Sequence, residues 1–519
     1  VSFDHQGRRI QGMRMQNTGD VYAVNGWEAM PYDNHSGIVD IYRNCKGNPS
    51  TFTYYTQPLY VAVSPRTQFV HLPGKVPVDF YIVNEKNLSG KYRLSVFVCT
   101  PDGKEGKHIE KEVHITGGDC FGQLLLEHCQ LEIEGVSGLY QVKAQLRNAS
   151  GHLCAEGKDE VLGIYWDKKQ LKGKGALYGT PDDPVATFYQ KATGCELPAF
   201  HSDIEKLDWI VVTRSSLDAP QPVPVEAFCQ KEGKSVLELS LYKDDDLRTL
   251  AGVTQDNKID RTFADGAQPD PLLPANQSFS AIWDGKLKAP QSGTYMIGVT
   301  SDQGMRLSVN GQRIVDEWRN NKELTVVRPF LLKAGDEVAV RVEYSQRNPT
   351  GSVQLVWSLP DHAAIAPQEL LDRVKEDGTS LLLLKSAESW MDAVSAYTGS
   401  AYHGYYSVGK NWVGGVHFVK EHPLFNGLPV NVAMGWPYQA LVRNGDRRLG
   451  LHIDNEELVA GSYGSAPFNL GSAVGIISCG KGKIYYSTLD LVDNLNNPAA
   501  AADVARKLFC NFILLSKDR

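Results

Sequence analysis

Near the start of the chain, the residues best suited to chemistry are Trp27 and Glu28, followed in the same loop by Asn34 and His35. An indole face packs against the C–H face of a pyranose, while a carboxylate, an amide and an imidazole bond its hydroxyls, so this quartet could hold a sugar. Each residue has a plainer alternative. Trp27 could be a core indole, Glu28 a structural carboxylate and His35 a loop hydrogen-bonder. The nine cysteines (Cys45, Cys99, Cys120, Cys129, Cys154, Cys195, Cys229, Cys479 and Cys510) form no CxxC pair. That spacing argues against zinc, and the scatter suits buried free thiols better than a disulfide framework. Neither a metal nor a cofactor is expected. Sequons at Asn34-His35-Ser36, Asn87-Leu88-Ser89 and Asn276-Gln277-Ser278 could take a glycan in a eukaryotic secretory pathway.

The elements that must position such groups belong to several domains, because 519 residues exceed what one core supports. The net charge is 53 − 60 = −7. That excludes the concentrated basic face of a nucleic-acid binder and suits a neutral or weakly acidic substrate. No apolar run approaches the roughly 20 residues of a membrane span. No signal peptide is visible, and a start at Val1 is consistent with processing or with a fragment.

Residues 5–16 have helical spacing at Ile10, Met13 and Met15, and Val21-Tyr22-Ala23-Val24-Asn25 reads as a buried parallel strand. A helix and then a strand is how a β/α repeat looks when cut open. From 56 to 166 the pattern alternates, at Val76, Val78, Phe80 and Ile82, then Tyr92 to Val98, then Tyr140 to Leu146. Short strands separated by turns predict an immunoglobulin-like sandwich. From 172 a strand at Gly175–Tyr178, a helix from Pro184 closed by Gly194 and a strand at Trp209–Val212 open an α/β pattern. It resumes at 367–377 as an amphipathic helix, then at Leu381–Leu384 as a strand. Between the halves the sequence is strand-rich, with a hairpin signal at Asn310-Gly311. The economical reading is a β-sandwich inserted into the α/β domain. Residues 400–519 are rich in glycine and aromatics, contain strands near 473–478 and 483–487, and end in a helix at 499–515.

Residues 19–49, GDVYAVNGWEAMPYDNHSGIVDIYRNCKGNP, resemble the end of the family 2 glycoside hydrolase barrel, in which the eighth strand leads into a Trp-bearing loop. Gly37, Arg43, Lys46 and Pro49 fit the segment that closes that barrel, and Tyr54-Tyr-Thr-Gln-Pro-Leu-Tyr60 fits the exit into an immunoglobulin-like domain. The resemblance implies two catalytic glutamates flanking a glycosidic bond. They would come from strands before the eighth, upstream of Val1, so no catalytic residue is assigned here. It also implies that Trp27, Glu28, Asn34 and His35 line the sugar site.

Phe279-Ser-Ala-Ile-Trp-Asp-Gly285, Ser292-Gly-Thr-Tyr295, Ser301-Asp-Gln-Gly-Met-Arg-Leu-Ser-Val-Asn-Gly311 and Asp316-Glu-Trp318 resemble the protective-antigen type domain of glycosidases and adhesins. The resemblance implies substrate contacts at Asp302, Gln303 and Trp318. Adhesin-like members hold calcium on two adjacent aspartates. Here the second is Gln303, and losing a hard anionic ligand argues against calcium. A wall beside a glycosidase pocket and a purely structural sandwich remain open. The α/β parts resemble class I glutamine amidotransferase-like domains. Their nucleophile is a Cys on the turn after a central strand, but here Leu381–Leu384 leads to Lys385-Ser386-Ala387-Glu388, and Ser386 has no HxE-type partner downstream. An inactive domain is expected, with His422–Pro429 as a structural loop and Trp412, Trp436 and Tyr438 as interface aromatics.

The expected fold is therefore multidomain, α/β plus all-β. Residues 1–55 are the end of a (β/α)8 (TIM) barrel, and 56–170 an immunoglobulin-like sandwich. Residues 171–233 and 360–519 form a flavodoxin- or amidotransferase-like α/β domain, interrupted at 234–359 by a protective-antigen type β-sandwich. The expected role is that of accessory, substrate-shaping part of a β-galactosidase-like hydrolase, or alternatively of a non-catalytic carbohydrate-binding protein. Expected partners are an oligo- or polysaccharide and the upstream barrel portion, with neither nucleic acid nor a membrane span. A homo-oligomer is compatible with the aromatic C-terminal part. A periplasmic or secreted location suits a glycan-degrading enzyme.

Overall fold

The computed structural model describes residues 2–17, 38–39, 43–45, 47–119, 121–180, 182–201, 203–216, 221–231, 234–235, 237–359, 367–408, 416–442, 448–464 and 469–517. The expected strand at Val21–Asn25 and the loop residues Trp27, Glu28, Asn34 and His35 lie outside them. The chain divides into two compact units. The first is Val1–Arg214, Leu370–Glu388 and Ser400–Arg519, and the second is Ser215–Glu369 with Ser389–Gly399. Most of the described elements are strands in several separate sheets, and no closed barrel is formed among the described residues. Of the expected barrel end, the described residues form the helices Ser2–Gln16 and Ser50–Tyr55 and a bridge between Val39 and Cys45.

Helix Ser2–Gln16 buries Phe3, Ile10, Gln11 and Arg14, while Met13 is exposed. Its inner face is therefore partly polar, and directed bonds hold it. Arg14 donates to the carbonyls of Tyr55 and Gln57, each at 2.7 Å. Arg8 grips the Asp159 carboxylate with both Nη atoms at 2.6 Å.

In the same unit, a three-stranded sheet (Leu59–Pro65, Gly74–Asn84, Gly122–Ile133) faces a five-stranded one (Phe69–His71, Leu153–Ile164, Gly138–Arg147, Gly90–Cys99, Glu105–Ile115). Alternate residues of both sheets meet in one core that includes Val76, Val78, Phe80, Leu94, Val96 and Val142. The period of two seen in the sequence is the cause, since successive strand side chains point to opposite faces. Tyr140, at the start of its strand, reaches back to the carbonyls of Glu134 at 3.0 Å and Val136 at 2.7 Å.

A further sheet of this unit has ten strands. Gly175–Tyr178, Trp209–Val212, Ser380–Leu383 and Gly482–Ser487 run parallel. Antiparallel strands continue it through Asn469–Cys479, Glu457–Gly464 and Val416–Val419. The parallel strands are near-continuous apolar runs because helices Pro184–Thr193 and Asp503–Leu515 contribute to the same core. Asp183 caps the first helix through the Val185 amide at 2.8 Å, and Gly194 closes it at φ 77. The amphipathic segment from 367 is α-helical over Pro367–Asp372 and then widens to a π-turn over Arg373–Asp377. Tyr438, expected at an interface, is wholly buried, and Trp436 packs edge-on against Phe69, ring centroids 5.5 Å apart. Tyr438 belongs to the core, and the partly buried Trp436 packs against that core from the same 3-10 turn, Trp436–Tyr438.

The second unit packs a six-stranded sheet (Leu250–Asp256, Leu237–Tyr242, Phe279–Lys288, Glu337–Gln346, Gly304–Val309, Gln312–Glu317) with a five-stranded one built on Gly351–Ser358, Gly293–Ser301 and Leu324–Leu332. Their inner faces share a core that includes Trp283, Tyr295, Tyr344 and Trp357. Asn310 and Gly311 turn the hairpin at φ 48 and 80, the positive values the dipeptide predicts. No described helix is long and apolar enough to cross a membrane.

Candidate functional site

The described candidates Asp302, Gln303 and Trp318 meet at one end of the second unit. Asp302 and Gln303 form the turn between strands Gly293–Ser301 and Gly304–Val309. One oxygen of Asp302 accepts from the Ser352 amide at 2.7 Å and from its hydroxyl at 3.2 Å, fixing the start of strand Gly351–Ser358. Gln303 is 3% exposed. Its Nε2 donates to the Thr350 carbonyl at 3.0 Å, and its Oε1 accepts from the amides of Arg347 and Asn348 at 3.2 and 3.4 Å. Both ends of this amide are thus engaged with the 347–350 loop. A neutral amide satisfies that backbone directly, without an ion. Among the described residues no three His, Cys, Asp or Glu side chains converge as a metal site.

Trp318 is 7% exposed. Its Nε1 donates to Asp246 at 3.1 Å, and the Arg306 guanidinium lies 4.3 Å from its ring centroid. That cation covers the aromatic surface a pyranose would need, in a favourable cation–π contact. Arg347 joins the same group by donating to the Trp318 carbonyl at 2.7 Å and to Asp245 at 2.9 Å.

The acidic turn Asp244–Thr249 is an element that sequence reasoning missed. Asp244 accepts from the amides of Asp246 and Arg248, each at 3.0 Å, and of Thr249 at 2.6 Å. Slight burial pushes its carboxyl up, but the amide donors outweigh this and hold it at about 2. The signal was available as three successive aspartates followed by Leu-Arg-Thr, an Asx-turn composition.

Close by, a cavity of about 470 Å³ is lined by Asp256, Asp260, Arg261, Phe263, Gln268 and Gln346, among others. Its walls are ordered: Asp256 accepts from Arg261 Nε at 2.8 Å and Trp283 Nε1 at 3.0 Å, and Gln346 accepts from the Tyr344 hydroxyl at 2.8 Å. Burial pushes the Tyr344 phenol up, and the nearby Asp302 carboxylate adds to this. The mixture of amide, carboxylate, guanidinium and one aromatic edge can exchange hydrogen bonds with a polyhydroxylated ligand.

In the first unit, Ser386 adopts φ 53 shortly after strand Ser380–Leu383. A non-glycine residue in the left-handed region marks a sharp strand-to-helix turn. Its neighbour Lys385 is paired with Asp493 at 2.8 Å. The loop from His422 is structural as read, with Leu424 and Phe425 fully buried.

The second unit is a β-sandwich, and residues 233–370 match the PA14 domain family. A curated relative, the anti-sigma-I factor RsgI3 of Acetivibrio thermocellus, is 29% identical over 117 residues, which cover 22% of this chain and 18% of that protein. Similar solved structures include β-glucosidase from Kluyveromyces marxianus in complex with glucose, at 16% identity and TM-score 0.23, covering 43% of this chain and 29% of that one. An anti-sigma factor domain-containing protein from Clostridium clariflavum matches at 17% identity and TM-score 0.23, covering 58% of this chain and 93% of that one. The epithelial adhesin 9 A domain of Candida glabrata, in complex with Galb1-4GlcNAc, matches at 11% identity and TM-score 0.19, covering 27% and 88%. The chain thus spans under a third of the length of the curated relative and of the β-glucosidase.

Proposed function

We propose that this chain is the accessory, substrate-shaping part of a family 2, β-galactosidase-like glycoside hydrolase acting on oligo- or polysaccharides. The single observation that supports a carbohydrate role best is the PA14 match over residues 233–370, on a sandwich whose loops frame a polar cavity. The family 2 assignment rests on the barrel-closing motif of residues 19–49 and on the sandwich that follows it. In this reading 1–55 closes a barrel, and 56–170 is immunoglobulin-like, a reading favoured by the backward-reaching Tyr140 hydroxyl. Residues 171–233 and 360–519 form a non-catalytic amidotransferase-like domain, and 234–359 is its insertion. Trp27, Glu28, Asn34 and His35 contribute to the sugar site, and the catalytic carboxylates lie on strands upstream. Asp302 contributes a ligand contact from the turn where it also holds Ser352, while Gln303 and Trp318 position the neighbouring loops.

The test is hydrolysis of nitrophenyl β-galactoside and β-glucuronide by this chain alone. The account predicts none, and robust turnover would contradict it. A second reading, a carbohydrate-binding protein without catalysis, is favoured by one observation: the curated relative matched through residues of this chain is named as an anti-sigma factor rather than an enzyme. Joining the chain to its upstream coding sequence separates the two, since only the first reading expects glycosidase activity from the longer protein.

A further inference from the structure

The ten-stranded sheet of the first unit carries a side branch. Strands Tyr402–Val408 and Arg448–Ile453 pair antiparallel with each other as a two-stranded ribbon. The backbone of this ribbon joins the rest of the sheet at one residue pair, Leu451 with Ser472. Leu451 and Ile453 are buried, so apolar packing also holds it. The chain leaves the ribbon through a turn in which Asn455 takes φ 57, and the half-buried Glu456 follows. Its side chain folds back onto the sheet. One carboxyl oxygen bonds the Ser472 hydroxyl and the other bonds the Tyr486 phenol. Ser472 is thus held twice, through its backbone by Leu451 and through its hydroxyl by Glu456. We propose that Glu456 is a pH-operated clasp: as a neutral acid it fastens the ribbon to the sheet, and on losing its proton it lets the ribbon loosen. The proposal is independent of the carbohydrate reading.

Three observations lead there. First, the carboxyl occupies a built slot. Gly475 lies opposite Tyr486 on the neighbouring strand, and a Cβ there would collide with Glu456 Oε2 and Tyr486 Oη. Second, the groups that receive the carboxyl are neutral, and Ser472 and Tyr486 are each 0% exposed. Strand Gly482–Ser487 presents Tyr486, strand Asn469–Cys479 presents Ser472, and the ribbon itself brings Tyr402 near Tyr486. No cation pairs with Glu456 among the described residues. The flanking acids are engaged elsewhere, Asp454 with His403 at 3.0 Å and Glu457 with His422 at 3.4 Å. The ribbon's histidines, His403 and His452, act on each other rather than on this carboxyl.

Third, burial pushes the Glu456 carboxyl above its usual 4.5, and the two hydroxyls only partly pull it back. An ion in that slot has two neutral donors and no counter-charge, and it regains water by swinging out with the turn. The docked ribbon therefore keeps a proton that the released turn gives up. Stability from the clasp is full below about pH 4.5 and is lost as pH rises through the higher folded-state value.

The test is amide hydrogen exchange of this chain between pH 5 and pH 8, expressed as protection relative to the unstructured rate at each pH. The proposal expects protection of Tyr402–Val408 and Arg448–Ile453 to fall about tenfold over this range, the factor that one unit of displaced titration supplies. Ser380–Leu383, in the parallel part of the sheet, should keep its protection. Glu456→Gln should abolish the fall, because an amide stays neutral while it accepts from one hydroxyl and donates to the other. Tyr486→Phe removes a donor that favours the ion, so the fall should move to higher pH. That variant decides the matter if Glu456→Gln does not fold. Four results would overturn the proposal: protection of the ribbon unchanged with pH, a fall shared equally by Ser380–Leu383, a midpoint unmoved in Tyr486→Phe, or a fall that persists in Glu456→Gln. The last would assign the effect to His452 instead.

Discussion

In the second unit, Gln303, Arg347, Trp318 and Asp246 join three separate loops through side-chain bonds. Removing the Trp318 ring deletes a buried indole and the surface on which the Arg306 guanidinium rests. Trp318→Ala should therefore cost about 3 kcal/mol, read as a shift in the denaturant midpoint of the second unit. A change under half of that would show the ring to be dispensable to the fold and return it to the surface role its sequence position implied. Gln303 implies a second outcome. Its amide already ties the 347–350 loop, so adding calcium or chelator should leave the melting temperature of the unit unchanged, and a calcium-dependent rise of several degrees would contradict this. In the first unit, His422 accepts from the Leu424 amide at 3.1 Å, which requires an unprotonated Nδ1. Burial, aided by Lys483 and Lys420 and opposed by Glu457, pushes its pKa below the usual 6.5. The unfolded chain then takes up a proton first as pH falls, so stability from this group is present above about pH 6.5 and is lost as pH falls from there through the lower folded-state value. His422→Asn keeps an acceptor for Leu424 and should flatten that part of the melting-temperature profile. An unchanged acid slope would remove His422 as its cause.

At the scale of elements, the sequence is most readable where one physical signal dominates. Val76, Val78, Phe80 and Ile82 alternate because one face of their strand is fully buried, and their side chains are 0% exposed. Asn310-Gly311 announces its own turn. Gly311→Ala would place a Cβ at φ 80, and should destabilise the hairpin by about 1 kcal/mol, measured by chemical denaturation, because alanine resists the left-handed region. Of the apolar positions that mark the helix Ser2–Gln16, Ile10 is buried and Met15 packs against a small core cluster, while Met13 is exposed. The inner side of the helix also uses Arg8, Gln11 and Arg14, whose value lies in partners far along the chain, and no hydrophobic count can see those. The antiparallel half of the ten-stranded sheet is largely illegible for a related reason. A Cβ at Gly461 would come 2.1 Å from the Phe418 ring on the neighbouring strand, so a glycine there makes room for an aromatic. Read locally, such glycines and aromatics suggest loops rather than strands. The candidate site is legible as residue positions but not as roles, because whether Trp318 offers its face or hides it depends on Arg306, a neighbour only in the folded sheet.

At the scale of the whole molecule, two compact units with separate cores predict two heat-absorption transitions in scanning calorimetry. Trp318→Ala should lower only one of them, and a single transition moving as a whole would contradict their independence. The charge of −7 and the polar cavity of the second unit favour a neutral, polyhydroxylated ligand over nucleic acid. The most direct measurement is retention of this chain on an array of β-galactosides, β-glucosides and β-glucuronides, in calcium and again in chelator. The account predicts specific retention of at least one glycan class, equal in both buffers and reduced by Asp302→Ala. No glycan retained above background in either buffer would contradict it.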